Sequence, residues 1–174
     1  MTLYLRSVRT DLTSHHDGTT RWPRRGWMKP YPDWDADPRI ECGSGYHLIG
    51  ENGDPIYLQG RTWQAVRADD AVLSTDGDKH RAERVYVIKT GTPAEVLAYL
   101  ASRGWHNPKL RVAEPDGEYV VESGERLVVL SGSPTVTVNG GWCSCYDHSM
   151  PTVTVDNDGW CYCYDHPTPT VTIN

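Results

Sequence analysis

Phenylalanine is absent from this sequence, although the chain contains seven tryptophans and ten tyrosines. Tryptophan and tyrosine carry a polar group at the tip of the ring, which suits partly exposed surfaces and interfaces better than a dry core. Because phenylalanine, the purely apolar aromatic residue, is absent, we expect the aromatic rings to serve interfaces rather than core packing.

Long apolar runs are also missing, and none approaches the roughly 18 residues that a membrane helix needs. The opening segment of the chain lacks the apolar centre and the small-residue cleavage site of a signal peptide. The net charge of −6 argues against binding to a phosphate backbone as the main task. We therefore expect no membrane partner, no nucleic-acid partner and no secretion by a signal peptide.

Basic residues are absent beyond Arg126, where the only charged residues are Asp147, Asp156, Asp158 and Asp165. The same C-terminal region repeats itself, since Pro151 follows Pro134 and Trp160 follows Trp142 at nearly the same interval. Two units alternate within this period, a Thr/Val segment that follows proline and a Trp/Cys/Tyr segment that ends in Asp-His. A fixed period of this kind indicates stacked repeats, each buried against its neighbours.

The repeat predicts a β-solenoid with a coil of about 18 residues, each made of two short strands and two turns. An array of β-hairpins is the competing topology, but the near-identity of alternate units favours the solenoid. Because side chains alternate along a strand, one register places a Val/Cys set inside. The inward set is Leu127, Val129, Val136, Val138, Cys143, Cys145, Val153, Val155, Cys161, Cys163, Val171 and Ile173. The outward set is Thr135, Thr137, Thr152 and Thr154 on one sheet and Trp142, Ser144, Tyr146, Trp160, Tyr162 and Tyr164 on the other.

The outward aromatic row is expected to mediate association. A flat sheet of tryptophan and tyrosine is an exposed apolar patch of the kind that marks an interface. The printed sequence also stops at Asn174 within a coil, and an uncovered strand is a template for pairing. We expect a homo-oligomer, with a trimer as the preferred count. The candidate interface residues are Trp142, Tyr146, Trp160, Tyr162 and Tyr164.

Two copies of a Cys-x-Cys-x-x-His pattern lie in the repeat and resemble a zinc-ligand set, because thiols and imidazoles are zinc ligands. Alternate Cβ atoms on a strand, however, are about 7 Å apart, whereas tetrahedral thiolates converge on an ion about 2.3 Å away. Each cysteine pair also replaces a valine pair, and free cysteine packs as a small hydrophobe. We expect packing thiols, no metal and no cofactor. Disulfides between coils and a metal site are the alternatives, and the metal ligands would be Cys143, Cys145, His148, Cys161, Cys163 and His166.

The region before the repeat predicts an α+β domain over residues 1–106 that is mostly β, followed by the all-β solenoid domain over residues 107–174. Strands are expected near residues 3–8, 54–58, 62–68 and 84–89. One helix is expected at about 93–103, because Thr92 offers an N-cap, Pro93 suits the first turn and Glu95 closes a capping box.

Residues 11–37 form a loop rich in proline, glycine and tryptophan, which predicts irregular structure. Its tryptophans either cover the domain's own core or form a surface for a partner. The candidate docking residues in this loop are Trp22, Arg24, Arg25, Trp27 and Trp34.

The opening of the chain resembles an uncharacterised family of small phage and prophage proteins, many of them from actinobacterial hosts. The resemblance rests on YLRSVRTDLTS at residues 4–14, PDWD at residues 32–35 and the C-G-S-G-Y-H motif at residues 42–47, in which Tyr46 replaces a commoner leucine. It covers about residues 1–90. The resemblance implies a phage context and no established activity.

The same motif distantly resembles the G-x-G-[IL]-Y-F segment of ADP-ribosyltransferases, which shapes their nicotinamide pocket. That resemblance would assign the catalytic glutamate to Glu83 or Glu95, although Glu95 already has a predicted capping role. The simpler interpretation is that the glycines form a tight turn and that His47 is structural.

The favoured interpretation is a non-enzymatic phage structural or interaction protein, such as a capsid decoration, cement or fibre-like protein. Its first domain would dock on a capsid or other virion protein, and its solenoid would project and oligomerise. The alternatives are a host-directed phage inhibitor and an ADP-ribosyltransferase-like enzyme built around Cys42 and His47. The expected location is the virion or the host cytoplasm.

Overall fold

A computed structural model describes residues 2–40, 44–75, 77, 79–146, 149–164 and 166–174. The chain divides into two compact units, Met1–Asn107 and Pro108–Asn174. The fold class expected from the sequence is confirmed, since the chain is mostly β with one helix and ends in a β-solenoid.

The first unit contains two antiparallel sheets. Its strands are Thr2–Val8 (β1), Gly26–Trp27 (β2), Tyr46–Leu48 (β3), Thr62–Ala68 (β4), Val72–Leu73 (β5), His80–Ala82 (β6) and Tyr86–Gly91 (β7). The larger sheet has the order β1-β4-β7-β2 and the smaller one β3-β6-β5. A bridge between Leu5 and Ile49 brings the start of the smaller sheet next to β1. The core of this unit includes Tyr4, Val8, Trp22 and Tyr46.

The helix of the first unit is Pro93–Ala101 (α1), close to the expected span. The predicted capping box is present, because the Thr92 hydroxyl accepts from the backbone N–H of Glu95 and the Glu95 carboxylate accepts from that of Thr92. The helix buries Pro93, Val96 and Leu100. Gly104, at a φ of +79°, ends it in the left-handed conformation that glycine adopts without strain. Within the described residues, no helix has the length and apolar character that a membrane crossing requires.

One expected strand is wrong. Residues 54–58 contain a single turn of 3-10 helix, Pro55–Tyr57, instead of a strand. Proline has a fixed φ and no N–H, which favours the first turn of a helix over a ladder position. The long loop expected at residues 11–37 contains only the two-residue strand β2 among its described elements.

The second unit consists of two parallel sheets that alternate along the chain. Its strands are Leu110–Val112 (β8), Glu118–Glu122 (β9), Arg126–Val129 (β10), Thr135–Asn139 (β11), Trp142–Tyr146 (β12), Thr152–Asp156 (β13), Trp160–Tyr164 (β14) and Thr170–Ile173 (β15). One sheet has the order β14-β12-β10-β8 and the other β15-β13-β11-β9. This parallel order excludes the hairpin array. The result is a β-solenoid of about four turns, each close in length to the predicted coil.

The register within the solenoid is the one expected from the alternation as far as β13. Three residues of the expected inward set, Cys163, Val171 and Ile173, are exposed instead, because they lie on the last strand of each sheet and no further coil covers them. Val136 pairs with Val153 and Cys143 with Cys161, so the inward positions of successive coils lie above one another. The central cluster contains Ala113, Val121, Leu127, Val129, Val136, Val138, Cys143, Cys145, Val153 and Val155. Glycine is needed before the second Trp/Cys strand, because a Cβ at Gly159 would lie 2.8 Å from the carbonyl oxygen of Val138.

Candidate functional site

The outward face of the β12/β14 sheet is a stacked aromatic surface. In-register pairing places Trp142 beside Trp160 and Tyr146 beside Tyr164. Their ring centroids are 5.9 Å and 5.0 Å apart, with interplanar angles of 18° and 23°. Tyr162 completes the surface, since its ring lies 5.7 Å from that of Trp142. These five residues are called the aromatic face below.

Only the outer part of the aromatic face is exposed. Trp160 is 54% exposed and Tyr162 37%, whereas Tyr146 is 1% exposed. Ser144, which was also expected to face solvent, is fully buried and accepts a hydrogen bond from Arg126 at 2.6 Å. The expectation that the whole row is exposed is therefore wrong for Ser144 and Tyr146. Stacking explains this in part, because the ring of Tyr164 lies against Tyr146 and Tyr162 is the in-register neighbour of Ser144.

Three thiols meet in the core of the solenoid. The Sγ atoms of Cys143 and Cys145 are 3.8 Å apart, and those of Cys145 and Cys161 are 4.0 Å apart. The expectation that alternate cysteines cannot converge is therefore wrong, because each Cβ–Sγ bond can lean towards the other although the Cβ atoms are distant. Hydrogen bonding with Cys143 and Cys161, together with burial, raises the pKa of the Cys145 thiol. The thiols of Cys143 and Cys145 lower the pKa of Cys161 by hydrogen bonding to its sulfur.

Cys143, Cys145 and Cys161 are the described residues whose ligand atoms lie close enough together to hold a metal ion. Cys163 is exposed and is not part of this group. His148 lies outside the described residues, and His166 is exposed. The described cysteines are free thiols, so no disulfide joins the coils at these positions. The expectation that these thiols pack as small hydrophobes stays a prediction.

The first unit contains a cavity of about 430 Å³ that the sequence did not indicate. Its wall includes Arg6, Trp22, Tyr46, His47 and Lys79. The ring of His47 lies 5.9 Å from that of His16, which also lines the cavity. His47 and Tyr46 come from the C-G-S-G-Y-H motif, whose Cys42 lies outside the described residues. This motif therefore contributes to a cavity wall.

Arg6 is the unusual group in this wall. It is 8% exposed, and its guanidinium carbon lies 3.3 Å from the centre of the Trp22 ring. Burial lowers the pKa of Arg6 to about 9. Burial also lowers the pKa of His15 in the same wall. The local electrostatics therefore disfavour uncompensated positive charge at this place.

The two candidate catalytic glutamates, Glu83 and Glu95, do not line the cavity. The carboxylate of Glu95 is engaged in the capping box, and its hydrogen bonds to Thr92 lower its pKa. The transferase arrangement, with a glutamate facing His47, is therefore not assembled among the described wall residues.

The five docking candidates of the first unit lie in different environments. Trp22 is a core residue, 2% exposed, so it is not a surface anchor. Trp34 is half-buried, with the guanidinium carbon of Arg81 lying 5.9 Å from its ring centre. Arg24, Arg25 and Trp27 are exposed near or in β2. These last three residues form the part of the candidate docking set that can reach a partner.

Arg6, Tyr31 and Lys79 were not predicted from the sequence as wall residues. One signal was present, because Arg6 lies at an alternate position between Tyr4 and Val8, both of which belong to the core. An arginine on the core-facing side of a strand indicates a buried charge, which is unfavourable unless a partner compensates it.

The comparisons with known proteins identify no relative. No protein-family model, no curated protein and no solved structure matches this chain significantly. The geometry described above therefore carries the functional proposal.

Proposed function

We propose that this chain is a non-enzymatic phage structural or interaction protein that self-associates through the aromatic face of its β-solenoid. The observation that carries this proposal is the exposure of Trp160 and Tyr162 within a continuous set of stacked rings. Large exposed aromatic surfaces are uncommon on proteins that remain single. Tryptophan and tyrosine also dominate the binding energy of protein interfaces.

Self-association is favoured because the face presents rings at regular spacing. Neighbouring strands hold their side chains at the repeat of the sheet, about 4.8 Å, so rows on two copies have the same spacing and can interleave. The C-terminal region carries no basic residue after Arg126. Contacts between copies would therefore rest on the rings rather than on opposite charges. We propose a homo-oligomer with a trimer as the first count to test.

The virion context is supported by the resemblance of residues 1–90 to phage proteins. Arg24, Arg25 and Trp27 supply an exposed surface on the first unit through which a capsid or other virion protein could be bound. Trp27 is supported by the guanidinium groups of Arg67 and Arg84, which lie 5.3 Å and 5.7 Å from its ring centre.

Sedimentation velocity of the full chain tests self-association. We expect an oligomer for the natural sequence and a shift towards monomer for Trp160→Ser with Tyr162→Ser. The matched control is Thr152→Ser with Thr154→Ser on the other sheet, which should leave the oligomer intact. A natural chain that stays monomeric at every concentration contradicts the proposal.

Mass spectrometry of purified virions and of cytosol from the same infected culture tests the location. The proposal expects the chain in the virion fraction. Its recovery from cytosol alone contradicts a virion role and favours the host-directed inhibitor.

A further inference from the structure

The cavity of the first unit has a volume of about 430 Å³, within the range of small-molecule sites. We propose that it binds a nucleoside monophosphate or a closely similar small molecule in which a phosphate group is joined to a flat ring. The wall brings together Arg6 of β1, the segment from Ser14 to Trp22, and Lys79 before β6. This proposal does not depend on self-association through the aromatic face.

Arg6 supplies the first argument, because a buried cation needs an anion. Its only described hydrogen bond is a long one, 3.5 Å from Nη2 to the carbonyl oxygen of Ser7. Its Nε is buried and has no hydrogen-bond partner among the described residues. No salt bridge joins Arg6 to a carboxylate in the described part of the chain. An arginine buried in this way is unfavourable unless a negative group compensates it.

Asp17 is the acidic residue among those that line the cavity, and its carboxylate already has partners. Its Oδ1 accepts from the backbone N–H groups of Thr19 and Thr20, both at 2.8 Å. Its Oδ2 accepts from the Thr20 hydroxyl at 2.5 Å. These bonds hold Asp17 in its own turn. Its charge attracts Arg6 through space, but no hydrogen bond or ion pair joins the two among the described residues, so a position for a further anion beside Arg6 remains.

Lys79 supplies a second cation in the same wall. It is buried, and its ammonium nitrogen lies 4.7 Å from the centre of the Tyr57 ring. A phosphate monoester carries a charge of roughly −1.5 to −2 at neutral pH. Arginine and lysine are both residues that bind phosphate, and charge-assisted hydrogen bonds to phosphate are short and strong.

The aromatic residues of the wall supply a surface for the second half of the ligand, its flat ring. Tyr46 lies between Trp22 and Tyr31, with ring centroids 4.9 Å and 5.1 Å away in edge-to-face arrangements. Such rings offer an apolar surface against which a flat ring can pack. The indole Nε1 of Trp22 is buried without a hydrogen-bond partner among the described residues.

Isothermal titration calorimetry of the full chain with the four common ribonucleoside monophosphates tests the proposal. The matched ligands are the corresponding nucleosides and inorganic phosphate. We expect at least one monophosphate to bind, and its nucleoside and inorganic phosphate to bind roughly tenfold more weakly or worse. No binding of any monophosphate up to about 1 mM overturns the proposal, as does a nucleoside or free phosphate that binds equally well.

The position of the ligand is tested by the indole N–H signals in a ¹⁵N-correlated NMR spectrum. The Trp22 signal, assigned by its loss in Trp22→Phe, should shift on addition of the monophosphate. Trp160 is the internal reference, since its signal should stay in place. A shift of Trp160 without a shift of Trp22 overturns the assignment of the site.

Variants test the role of charge. Arg6→Gln and Lys79→Gln should each weaken binding at least roughly tenfold, whereas the control Arg103→Gln, at an exposed position just after α1, should leave it unchanged. If Arg6→Gln fails to fold, as judged by its thermal unfolding, Lys79→Gln carries the test of charge. Equal loss of binding in Arg103→Gln and in the wall variants overturns the proposal.

Discussion

The two units of this protein pair their strands in opposite ways. In the first unit, β1 pairs antiparallel with β4, so Thr2 lies opposite Ala68, a residue from a distant part of the chain. In the second unit, each strand pairs parallel with its own next copy, as Trp142 does with Trp160 one coil later. The first arrangement depends on distant pairings, whereas the second repeats one short-range relation.

The same contrast extends to what the units bury. The solenoid cluster consists of small aliphatic and thiol side chains that meet their own copies. The first unit buries Arg6, Gln64, Lys79 and Arg81 together with its apolar core. The second unit also buries one arginine, Arg126, but there the guanidinium donates to the buried Ser144 hydroxyl. Repetition produces a uniform apolar cluster between the two sheets, while distant pairing can bring unlike groups together around a cavity. Ligand chemistry is therefore expected in the first unit and assembly in the second.

The largest expected effect comes from tryptophan substitutions that contrast the two units. Trp63 is fully buried, whereas Trp160 is 54% exposed. Trp63→Ala should lower the free energy of unfolding by about 4 kcal/mol, because it leaves a large cavity in the core. Trp160→Ala should change it by less than about 1 kcal/mol in the monomer. Urea unfolding monitored by circular dichroism, below the concentration of self-association, measures both. Equal changes in the free energy of unfolding at the two positions would contradict the contrast between the buried and the exposed tryptophan.

A smaller effect is expected from pH. Burial lowers the pKa of His80, whose ring lies 4.9 Å from that of Tyr4. The unfolded chain therefore binds a proton near pH 6.5 before the folded chain does, so stability falls as the pH drops below that value and levels off below the folded-state pKa. The slope has a ceiling of about 1.4 kcal/mol per pH unit for each such histidine.

Hydrogen exchange at pH 7 and pH 5, corrected for the intrinsic exchange rate, measures where this loss occurs. Protection should fall in β6, which contains His80, and in β3, which pairs with it. His80→Asn should reduce the pH dependence, and His106→Asn serves as the control at another histidine. An unchanged pH dependence in His80→Asn would assign the effect to other groups.

The smallest effect is expected from Cys143→Val combined with Cys145→Val. Valine fills the inward positions of β11 and β13, so these changes approximately conserve volume and should alter the free energy of unfolding by less than about 1.5 kcal/mol. Thermal unfolding and the zinc content of the purified chain are measured together. Stoichiometric zinc in the natural chain, lost in this variant with a large drop in stability, would show that the thiols are ligands rather than packing groups. Val136→Cys with Val138→Cys is the reciprocal control.

The register of the solenoid could be predicted because two periods of the sequence agree: the alternation of side chains along each strand and the repeat of one coil. Alternation along Trp142–Tyr146 assigns inward and outward side chains, and the near-copy at Trp160–Tyr164 assigns the pairing. What the pattern could not show is how much of each outward side chain the next coil covers. Tyr146 is buried for that reason, although it shares a face with the exposed Tyr162.

The cavity of the first unit could not be predicted in the same way. Its wall joins Arg6, Trp22 and Lys79, which no local spacing connects. They meet because β1 bridges to Ile49 after β3, β3 pairs with β6 directly after Lys79, and Trp22 bonds back to Leu12 after β1. These pairings leave no repeat in the sequence. The 3-10 turn at Pro55–Tyr57 was missed because a short segment is ambiguous between strand and turn without its neighbours.

The parallel, in-register stacking of the solenoid has a consequence for how such a chain can change over time. Because the described strands of each coil pair with those of the coils before and after it, duplication of the stretch of the gene that encodes one coil would add a strand to each sheet and leave every other pairing as it was. Unequal recombination between the near-identical copies would do the same in either direction. The number of coils is thus a heritable quantity that can vary in single steps.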